Sequence, residues 1–426
     1  MFRRRASRPL AAILATLAIA AASGCAASTG ARLETRHESA SWPPTVILVS
    51  LDGFRWDYQD RAATPTLDRL AAGGVRARGL VPVFPTKTFP NHYSLVTGLH
   101  PGTHGIVANN IHDARRDRWF SLSNRDAVGD AAWWGGEPIW VALERAGRPT
   151  APLFWPGSEA AIGGLRPRYW QAYDGALSNE ARGDRLLGWL DRPSADRPVF
   201  LTLYMSDVDD AGHRHGPDSP EVEAAVARVD AALGHFVEGL ERRDLLGRVN
   251  VIVVSDHGMA ATPRERAILL DDYVDLDTVS VVDWTPVLSL RSKGGHDEEL
   301  YVALRDKHPH LVVYRDRDLP ERFRLRPGPR VTPVVGIADE GWTITTRARA
   351  TDSTRRWGEG NHGFDHELES MRGIFIAHGP AFGQGQRVGV VRAIDLYALM
   401  ADVLEVTPAA HEGSLEATIA VRRAGR

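Results

Sequence analysis

Short apolar runs alternate with amphipathic stretches along most of the chain. Four runs of aliphatic and β-branched residues have the length of a buried strand. They lie at 46–49, 199–204, 249–254 and 373–377. Three helical patterns stand between them, at 65–72, 137–146 and 220–240. Strands that alternate with helices predict an α/β fold, with a mostly parallel central sheet and helices on both faces.

Two regions depart from this alternation. Residues 293–350 carry many charges and only short strand-like pieces, which predicts a small inserted α+β subdomain beside the sheet. Residues 100–182 are rich in Trp, Gly and Pro with weak periodicity, so we expect loops and short helices above the active edge. The catalytic domain is therefore predicted at 45–292 and 351–410, followed by a C-terminal tail at 411–426.

The first 44 residues have the features of an export segment. An arginine-rich start and an apolar run at 10–22 predict a secretory signal over residues 1–25. That run is shorter than the roughly 20 residues of a stable membrane span. Residues 22–25, Ala-Ser-Gly-Cys, resemble a bacterial lipobox, which predicts a lipid anchor at Cys25; ordinary cleavage at a small-residue site is the alternative. Residues 26–44 are predicted to be a tether. We expect an exported bacterial protein, periplasmic or membrane-anchored.

Composition limits the classes of partner. Hydrophobic residues make up 43% and charged residues 25%, as in a soluble globular protein with a sizeable core. The net charge of −3 becomes −7 without the four arginines of residues 1–24, which argues against non-specific binding to nucleic acid. Cys25 is the single cysteine, so the chain has no intrachain disulfide and no cysteine-based metal site. An anionic substrate would have to be attracted by a local group.

Acidic residues follow three of the predicted strands. Asp52, Asp209 and Asp256 stand where ligands bind in an open α/β sheet, outside the carboxyl ends of the strands. His257 follows Asp256 directly, and His213 lies four residues after Asp209. Each acid alone is more often a helix cap or turn former, and most histidines hold no metal. Together they indicate a transition-metal site, because carboxylates and imidazoles are its usual ligands.

Four motifs carry a resemblance to a known family. The first is Phe-Pro-Thr-Lys-Thr-Phe-Pro-Asn-His-Tyr at 84–93, continuing through 95–98 and 104–107 to Asn109. The others are Asp-Asp-Ala-Gly-His at 209–213, Ser-Asp-His-Gly-Met at 255–259 and Asn-His-Gly-Phe-Asp at 361–365. In order and separation, most of residues 45–405 resembles the nucleotide pyrophosphatase/phosphodiesterase family of the alkaline phosphatase superfamily. The resemblance implies that the predicted α/β fold is alkaline-phosphatase-like.

The resemblance implies a site with two metal ions. One would be held by Asp209, His213 and His362, and the other by Asp52, Asp256, His257 and the oxygen of Thr88. Imidazole-rich ligation favours two Zn²⁺ per chain. Three carboxylates against two divalent ions leave about one positive charge, which can attract a phosphodiester to an acidic protein.

The resemblance also implies roles for two side chains. Thr88 would be the nucleophile, activated by a metal and passing through a phosphothreonine intermediate. Asn109 would donate a hydrogen bond to a non-bridging phosphate oxygen. Asn110 is the rival donor. The non-functional alternative is that Asn109 simply forms a loop. The neighbouring acids and histidines are assigned to neither metal: Asp207, Asp210, His215, Asp365 and His366.

Aromatic residues are candidates for a nucleotide-base slot. Phe89 is adjacent to the nucleophile, and Tyr173 and Tyr204 could complete a stacking pair, although Tyr204 fits core packing as well. The predicted activity is hydrolysis of phosphodiester or pyrophosphate bonds of nucleotides, which releases nucleoside 5′-monophosphates. A phosphomonoesterase and a lipid-headgroup phosphodiesterase of the same superfamily are the alternatives; a sulfatase and a non-catalytic binding lipoprotein fit the motifs less well.

Overall fold

A seven-stranded sheet forms the centre of the protein in the computed structural model, which describes residues 42–352, 354 and 356–424. Its strands are β1 (Val46–Leu51), β2 (Val75–Val81), β5 (Thr150–Pro152), β6 (Phe200–Met205), β7 (Asn250–Val254), β16 (Phe375–His378) and β17 (Gln386–Arg392). Their order is β17-β2-β16-β7-β1-β6-β5. β16 runs antiparallel to both neighbours, and the other pairings are parallel, so six strands share one direction.

Both faces of this sheet are buried. Val46 and Leu48 of β1 pack into one hydrophobic cluster, whereas Ile47, Val49 and Leu51 pack into another on the opposite face. This alternation explains why β1 reads as a continuous apolar run, since a strand covered on both sides has no polar face. The predicted α/β architecture with helices on both faces is confirmed.

Eleven α-helices lie in the described residues. They are α1 (Pro65–Ala72), α2 (Thr88–Thr97), α3 (Pro101–His104), α4 (Arg125–Gly129), α5 (Ile139–Arg145), α6 (Asn179–Leu190), α7 (Asp207–His215), α8 (Pro220–Glu241), α9 (Asp297–Leu304), α10 (Arg347–Thr351) and α11 (Leu396–Val403). Residues of α2, α5 and α11 cover one face of the sheet, and those of α1, α6 and α8 cover the other. α8 begins where its N-cap Ser219 accepts a hydrogen bond from the Val222 N–H and Pro220 fills the first helical position.

A second, antiparallel sheet has four strands in the order β10-β11-β13-β12. They are β10 (Val279–Asp283), β11 (Val287–Ser292), β12 (Leu311–Arg315) and β13 (Val334–Ala338). Three two-stranded pairings complete the described strands: β3 (Asn110–Asp113) with β4 (Arg118–Ser121), β8 (Ala260–Ala261) with β15 (Gly360–Asn361), and β9 (Ala267–Leu269) with β14 (Thr343–Thr345). The second sheet includes strands on both sides of residue 293, where the inserted subdomain was predicted to begin.

The ends of the described chain pack on the body. The Trp42 indole donates to Thr45 Oγ1 at 3.1 Å, so contacts begin three residues before the predicted start of the catalytic domain. In the predicted tail, Val421 is buried and its carbonyl accepts from the Gly383 N–H.

The predicted signal segment and Cys25 lie outside the described residues. Within the described part, no helix combines the length and the apolar character that a membrane crossing needs.

Candidate active site

Three carboxylates meet at the carboxyl ends of neighbouring strands. Asp52 follows β1, Asp256 follows β7, and Asp209 lies in the first turn of α7 after β6. The order β7-β1-β6 places these ends side by side. Gly53 permits the approach: its φ is +66°, and a Cβ there would lie 2.8 Å from the Asp209 Cα. The predicted strand-end acids are therefore brought into one cluster.

Histidines converge on the same point. His257 Nε2 lies 3.1 Å from Asp256 Oδ2 and 3.4 Å from Asp52 Oδ1. His362 follows β15, and its Nε2 lies 3.7 Å from Asp209 Oδ1. His213, one helical turn after Asp209, places Nε2 3.5 Å from Asp209 Oδ2. The rings of His257 and His362 stack at 3.5 Å.

Two groups of three ligand atoms are close enough to hold a metal ion. One is Asp52, Asp256 and His257, and the other is Asp209, His257 and His362. The first agrees with the predicted set for one ion. In the second, His257 stands where the resemblance implies His213, whose side chain is 38% exposed. The place of His213 in the site stays a prediction.

Unpartnered buried atoms show that this donor set fits a cation. Among the described residues, four atoms of the cluster are buried without a hydrogen-bond partner: Asp52 Oδ1, Asp209 Oδ1, Asp256 Oδ2 and His257 Nε2. Each such atom costs about 1–3 kcal/mol when nothing compensates it. Divalent ions would satisfy all four at once. The cluster therefore fits the metal pair that the motifs imply.

The histidine orientations agree with metal binding. The Nδ1 atoms of His213, His257 and His362 lie 2.7–3.0 Å from the carbonyls of Gly360, Gly258 and Thr86. A ring that donates from Nδ1 to a carbonyl leaves the Nε2 lone pair free for a metal. All three Nε2 atoms face the carboxylate cluster.

Burial and neighbouring charges shift the pKa values of the cluster residues in both directions. Burial, with the charges of Asp256 and Asp209, raises the pKa of Asp52 well above its usual value. Burial also raises the pKa of Asp209 to about 7. Burial opposes ionisation of His257, but Asp256 and Asp52 outweigh it and raise its pKa to about 10. Burial and the charge of His257 lower the pKa of His362. Cations would replace the protons that this arrangement retains.

Thr88 is the first residue of α2 and lines a cavity of about 280 Å³ that also reaches Asp52 and Asp209. The predicted nucleophile is therefore placed beside the carboxylate cluster and open to a substrate. Asn109 Oδ1 accepts a hydrogen bond from the Phe89 N–H at 3.0 Å, and among the described residues no acceptor takes a hydrogen bond from its amide nitrogen. The rival Asn110 instead donates to Asp283 Oδ1 at 3.3 Å.

The three predicted base-slot aromatics line the same cavity. Tyr173 is 42% exposed, and its ring centroid lies 6.3 Å from that of Tyr204. Tyr204 also donates from its hydroxyl to Asp52 Oδ2 at 2.6 Å, which orients a carboxylate of the cluster. Phe89 packs near Phe120, with ring centroids 5.9 Å apart.

Comparison with known proteins identifies the family. Residues 46–365 match the family described as type I phosphodiesterase / nucleotide pyrophosphatase. The chain belongs to this family. It is thereby a member of the alkaline phosphatase superfamily and a hydrolase of the phosphodiesterase/nucleotide pyrophosphatase class. The fold and the family predicted from the four motifs are confirmed.

Relatives of this phosphodiesterase family match over most of the chain. Human ectonucleotide pyrophosphatase/phosphodiesterase family member 5 is 38% identical over 370 residues, covering 87% of this chain and 76% of the relative. The human bis(5′-adenosyl)-triphosphatase ENPP4 is 37% identical, covering 88% and 81%. The structure of murine ectonucleotide pyrophosphatase/phosphodiesterase 5, an inactive threonine-to-alanine variant in complex with AMP, is 37% identical. It superposes with a TM-score of 0.85 and covers 89% of this chain and 100% of that one.

Supporting residues of this phosphodiesterase site escaped the sequence analysis. Thr86 accepts from the Gly363 N–H at 2.8 Å and donates to the Phe364 carbonyl at 3.0 Å, which joins the first and fourth motifs. His92 donates from Nδ1 to the Thr88 carbonyl at 2.9 Å. Both residues stand inside the quoted first motif, and their place in that motif was the available signal.

The cavity wall also contains residues that no motif indicated. Leu122, Phe154 and Trp155 line it, with Arg125 paired to Glu159. They come from loops or a short helix separated by long stretches of chain, and the sequence offers no pattern that joins them.

Two of the acidic residues that the sequence analysis assigned to neither metal have other partners. Asp365 pairs with Arg322, and Asp207 accepts from Asn179. Neither belongs to the two metal groups.

Proposed function

We propose that this enzyme hydrolyses phosphodiester or pyrophosphate bonds of nucleotides at a two-zinc site, with Thr88 as nucleophile, and releases nucleoside 5′-monophosphates. The observation that carries the proposal is the convergence of buried, unpartnered carboxylate and imidazole atoms next to Thr88 and an aromatic cavity. Membership in the family supplies the reaction class.

Two Zn²⁺ ions would be held by the seven positions named from the motifs. These are Asp52, Thr88, Asp209, His213, Asp256, His257 and His362. Three imidazoles among the ligands favour zinc over magnesium. When bound, the ions supply a lowered pKa for a coordinated hydroxyl and neutralise charge on the reacting phosphate.

Thr88 would form and then lose a covalent bond to phosphorus. Its hydroxyl oxygen attacks, and the bond from phosphorus to the leaving oxygen breaks, which leaves a phosphothreonine that still carries the nucleoside. Water then cleaves this ester and returns the hydroxyl. The inactive threonine-to-alanine variant of the murine relative agrees with a threonine nucleophile. The free amide nitrogen of Asn109 would donate to a non-bridging oxygen throughout.

The nucleoside would occupy the aromatic side of the cavity. Phe89, Tyr173 and Tyr204 offer ring faces and edges there, and stacking on such rings tolerates any base. AMP in the murine relative supports a nucleotide as the ligand class. A nucleotide is favoured over a lipid headgroup because the relatives are named as an ectonucleotide pyrophosphatase/phosphodiesterase and a bis(5′-adenosyl)-triphosphatase.

The lining charges favour a diester over a monoester. Among the described residues that line the cavity, Arg125 is the cationic one, and Glu159 already neutralises it. Asp210 adds a negative charge. A monoester dianion would therefore meet no free arginine, whereas a diester with one charge needs none.

We propose export as well. Residues 1–25 would be a bacterial signal segment, with Cys25 as a lipid attachment point in the periplasm. Relatives named as ectonucleotide pyrophosphatases agree with export. Mass spectrometry of the membrane-bound form would detect acylation of Cys25; a soluble protein beginning after Cys25 would contradict the anchor.

The distinguishing experiment compares two nitrophenyl esters. We expect kcat/KM for nitrophenyl nucleoside monophosphate to exceed that for nitrophenyl phosphate by at least about a hundredfold, or roughly 2.7 kcal/mol of transition-state discrimination. Comparable efficiencies, or a preference for the monoester, would show that the phosphomonoesterase alternative is right.

A further inference from the structure

A buried carboxylate of the second sheet contacts the segment that carries Thr88. Asp283 ends β10, and its side chain is 9% exposed. Its Oδ2 forms an ion pair with the ammonium of Lys87, which is 6% exposed and is the N-cap residue of α2. Because Thr88 is the first residue of α2, this ion pair lies one residue from the nucleophile.

The same carboxylate holds the segment that carries Asn109. Asp283 Oδ1 accepts from the Asn110 side-chain amide at 3.3 Å and from the Trp284 N–H at 3.1 Å. Asn109 accepts in turn from the Phe89 N–H at 3.0 Å. Two sets of contacts therefore join the segment that carries Thr88 to the segment that carries Asn109. One is the direct hydrogen bond from Phe89 to Asn109, and the other runs from Lys87 through Asp283 to Asn110.

These contacts lie outside the substrate cavity. Lys87, Asn110 and Asp283 line a separate cavity of about 20 Å³. None of the three lines the larger cavity that contains Thr88. Any effect of Asp283 on the reaction would therefore be indirect, and Thr88 and Asn109 are the adjacent residues that line or contact the site.

Apolar contacts, in addition to the Lys87–Asp283 ion pair, attach the second sheet to the segment before α2. Phe84 stacks on Phe323 at 4.1 Å within an apolar cluster that includes Val287 and Val335 of the second sheet. A buried ion pair is weak evidence for net stability, since the cost of removing its charges from water offsets their attraction. The apolar cluster thus joins the second sheet to the segment before α2 independently of the pair at Asp283.

We propose that Asp283 is a positioning residue for the reaction, which fixes the spacing between the Thr88 hydroxyl and the Asn109 amide by holding Lys87 and Asn110 at once. The proposal rests on the roles proposed above for Thr88 and Asn109. Misplacement of a reacting group by about 1 Å can cost up to about 100-fold in rate, so a carboxylate with no contact to substrate can still control turnover.

The test uses Asp283→Asn with a matched control. Asp230 is also buried and accepts from two N–H groups, those of Thr66 and Leu67, but it caps α1 and touches neither motif. With nitrophenyl nucleoside monophosphate, Asp283→Asn should lower kcat about tenfold or more while KM changes by less than about twofold. Asp230→Asn should lower the melting temperature and leave kcat at the wild-type value.

A paired replacement separates positioning from stability. Lys87→Met with Asp283→Leu removes both charges, so the melting temperature should return towards that of wild type. The kcat should stay low, because Asn110 has lost its acceptor. A wild-type kcat in Asp283→Asn, or recovery of kcat in the paired variant, would show a structural role and overturn the proposal. A rise in KM alone would overturn it too, since it would mean contact with substrate.

Thr88→Ala is assayed in parallel. If that variant is active, Thr88 is not the nucleophile, and this result does not depend on the role of Asp283.

Discussion

The carboxylate–histidine cluster and the proposed nucleotide wall of the cavity, formed by Phe89, Leu122 and Tyr173, are built in different ways. Asp52, Asp256 and His257 follow central strands and are at most 1% exposed. Leu122 and Tyr173 lie on loops and are 43% and 42% exposed. Buried strand ends hold reacting groups at fixed spacing, whereas exposed loops can change without disturbing the core. The chemistry of this protein should therefore be more sensitive to mutation than its choice of nucleoside.

Tyr204 joins the two regions. Its hydroxyl donates to Asp52 while its ring faces Tyr173 in the cavity. Burial, with the charge of Asp52, raises the pKa of Tyr204 well above its usual value, so the phenol stays protonated and remains a donor. In the proposed mechanism, recognition of the nucleoside and orientation of a metal ligand would thus share one side chain.

Metal removal should have the largest effect. We expect elemental analysis to find close to two zinc ions per chain, and chelation to abolish activity until zinc is restored. Chelation should also lower the melting temperature, because ions that bind the folded state stabilise it and the buried carboxylates would again repel one another. Active enzyme with one ion or none would contradict the two-metal account.

Replacement of the nucleophile should be nearly as severe. Thr88→Ala should lower kcat by at least about 10³-fold, since no hydroxyl remains to attack phosphorus. AMP binding, measured by calorimetry, should persist because the cavity wall is intact. Thr88→Ser serves as the control and should retain substantial turnover. A Thr88→Ala enzyme with much of the wild-type rate would mean that water attacks directly.

A change in the nucleotide wall should be milder. Tyr173→Ala should raise KM for nitrophenyl nucleoside monophosphate by about tenfold, or ~1.4 kcal/mol, through loss of stacking. Its kcat should change less than that of Thr88→Ala, because no metal ligand moves. Val312→Ala, at an exposed position of β12, is a control that should alter neither constant. A kcat loss in Tyr173→Ala as large as that of Thr88→Ala would erase the contrast between the two regions.

The same contrast explains what could be predicted from the sequence. Asp52, Asp209 and Asp256 were found because apolar runs mark strands, and the ends of parallel strands meet at one edge. The four motifs then added Thr88, Asn109 and His362. Leu122 and Glu159 were missed, since only the folded loops bring such residues together.

The pattern of apolar and polar residues also failed to predict some elements, in one case because functional residues replace the apolar positions. The helix α7 was not predicted, because its sequence Asp-Val-Asp-Asp-Ala-Gly-His-Arg-His carries candidate ligands in place of an apolar stripe. The strand at 373–377 was predicted, but its antiparallel direction was not, since a short apolar run carries no information about direction. The boundary at residue 293 stays a prediction, with strands of the second sheet on either side of it.

The stereochemical course at phosphorus tests the nucleophile most directly. A nitrophenyl nucleoside phosphorothioate of one configuration is hydrolysed in ¹⁸O-labelled water, and the configuration of the product is determined. Two in-line displacements, the first by Thr88 and the second by water, predict net retention. Net inversion would show a single displacement by water and would contradict the covalent role of Thr88.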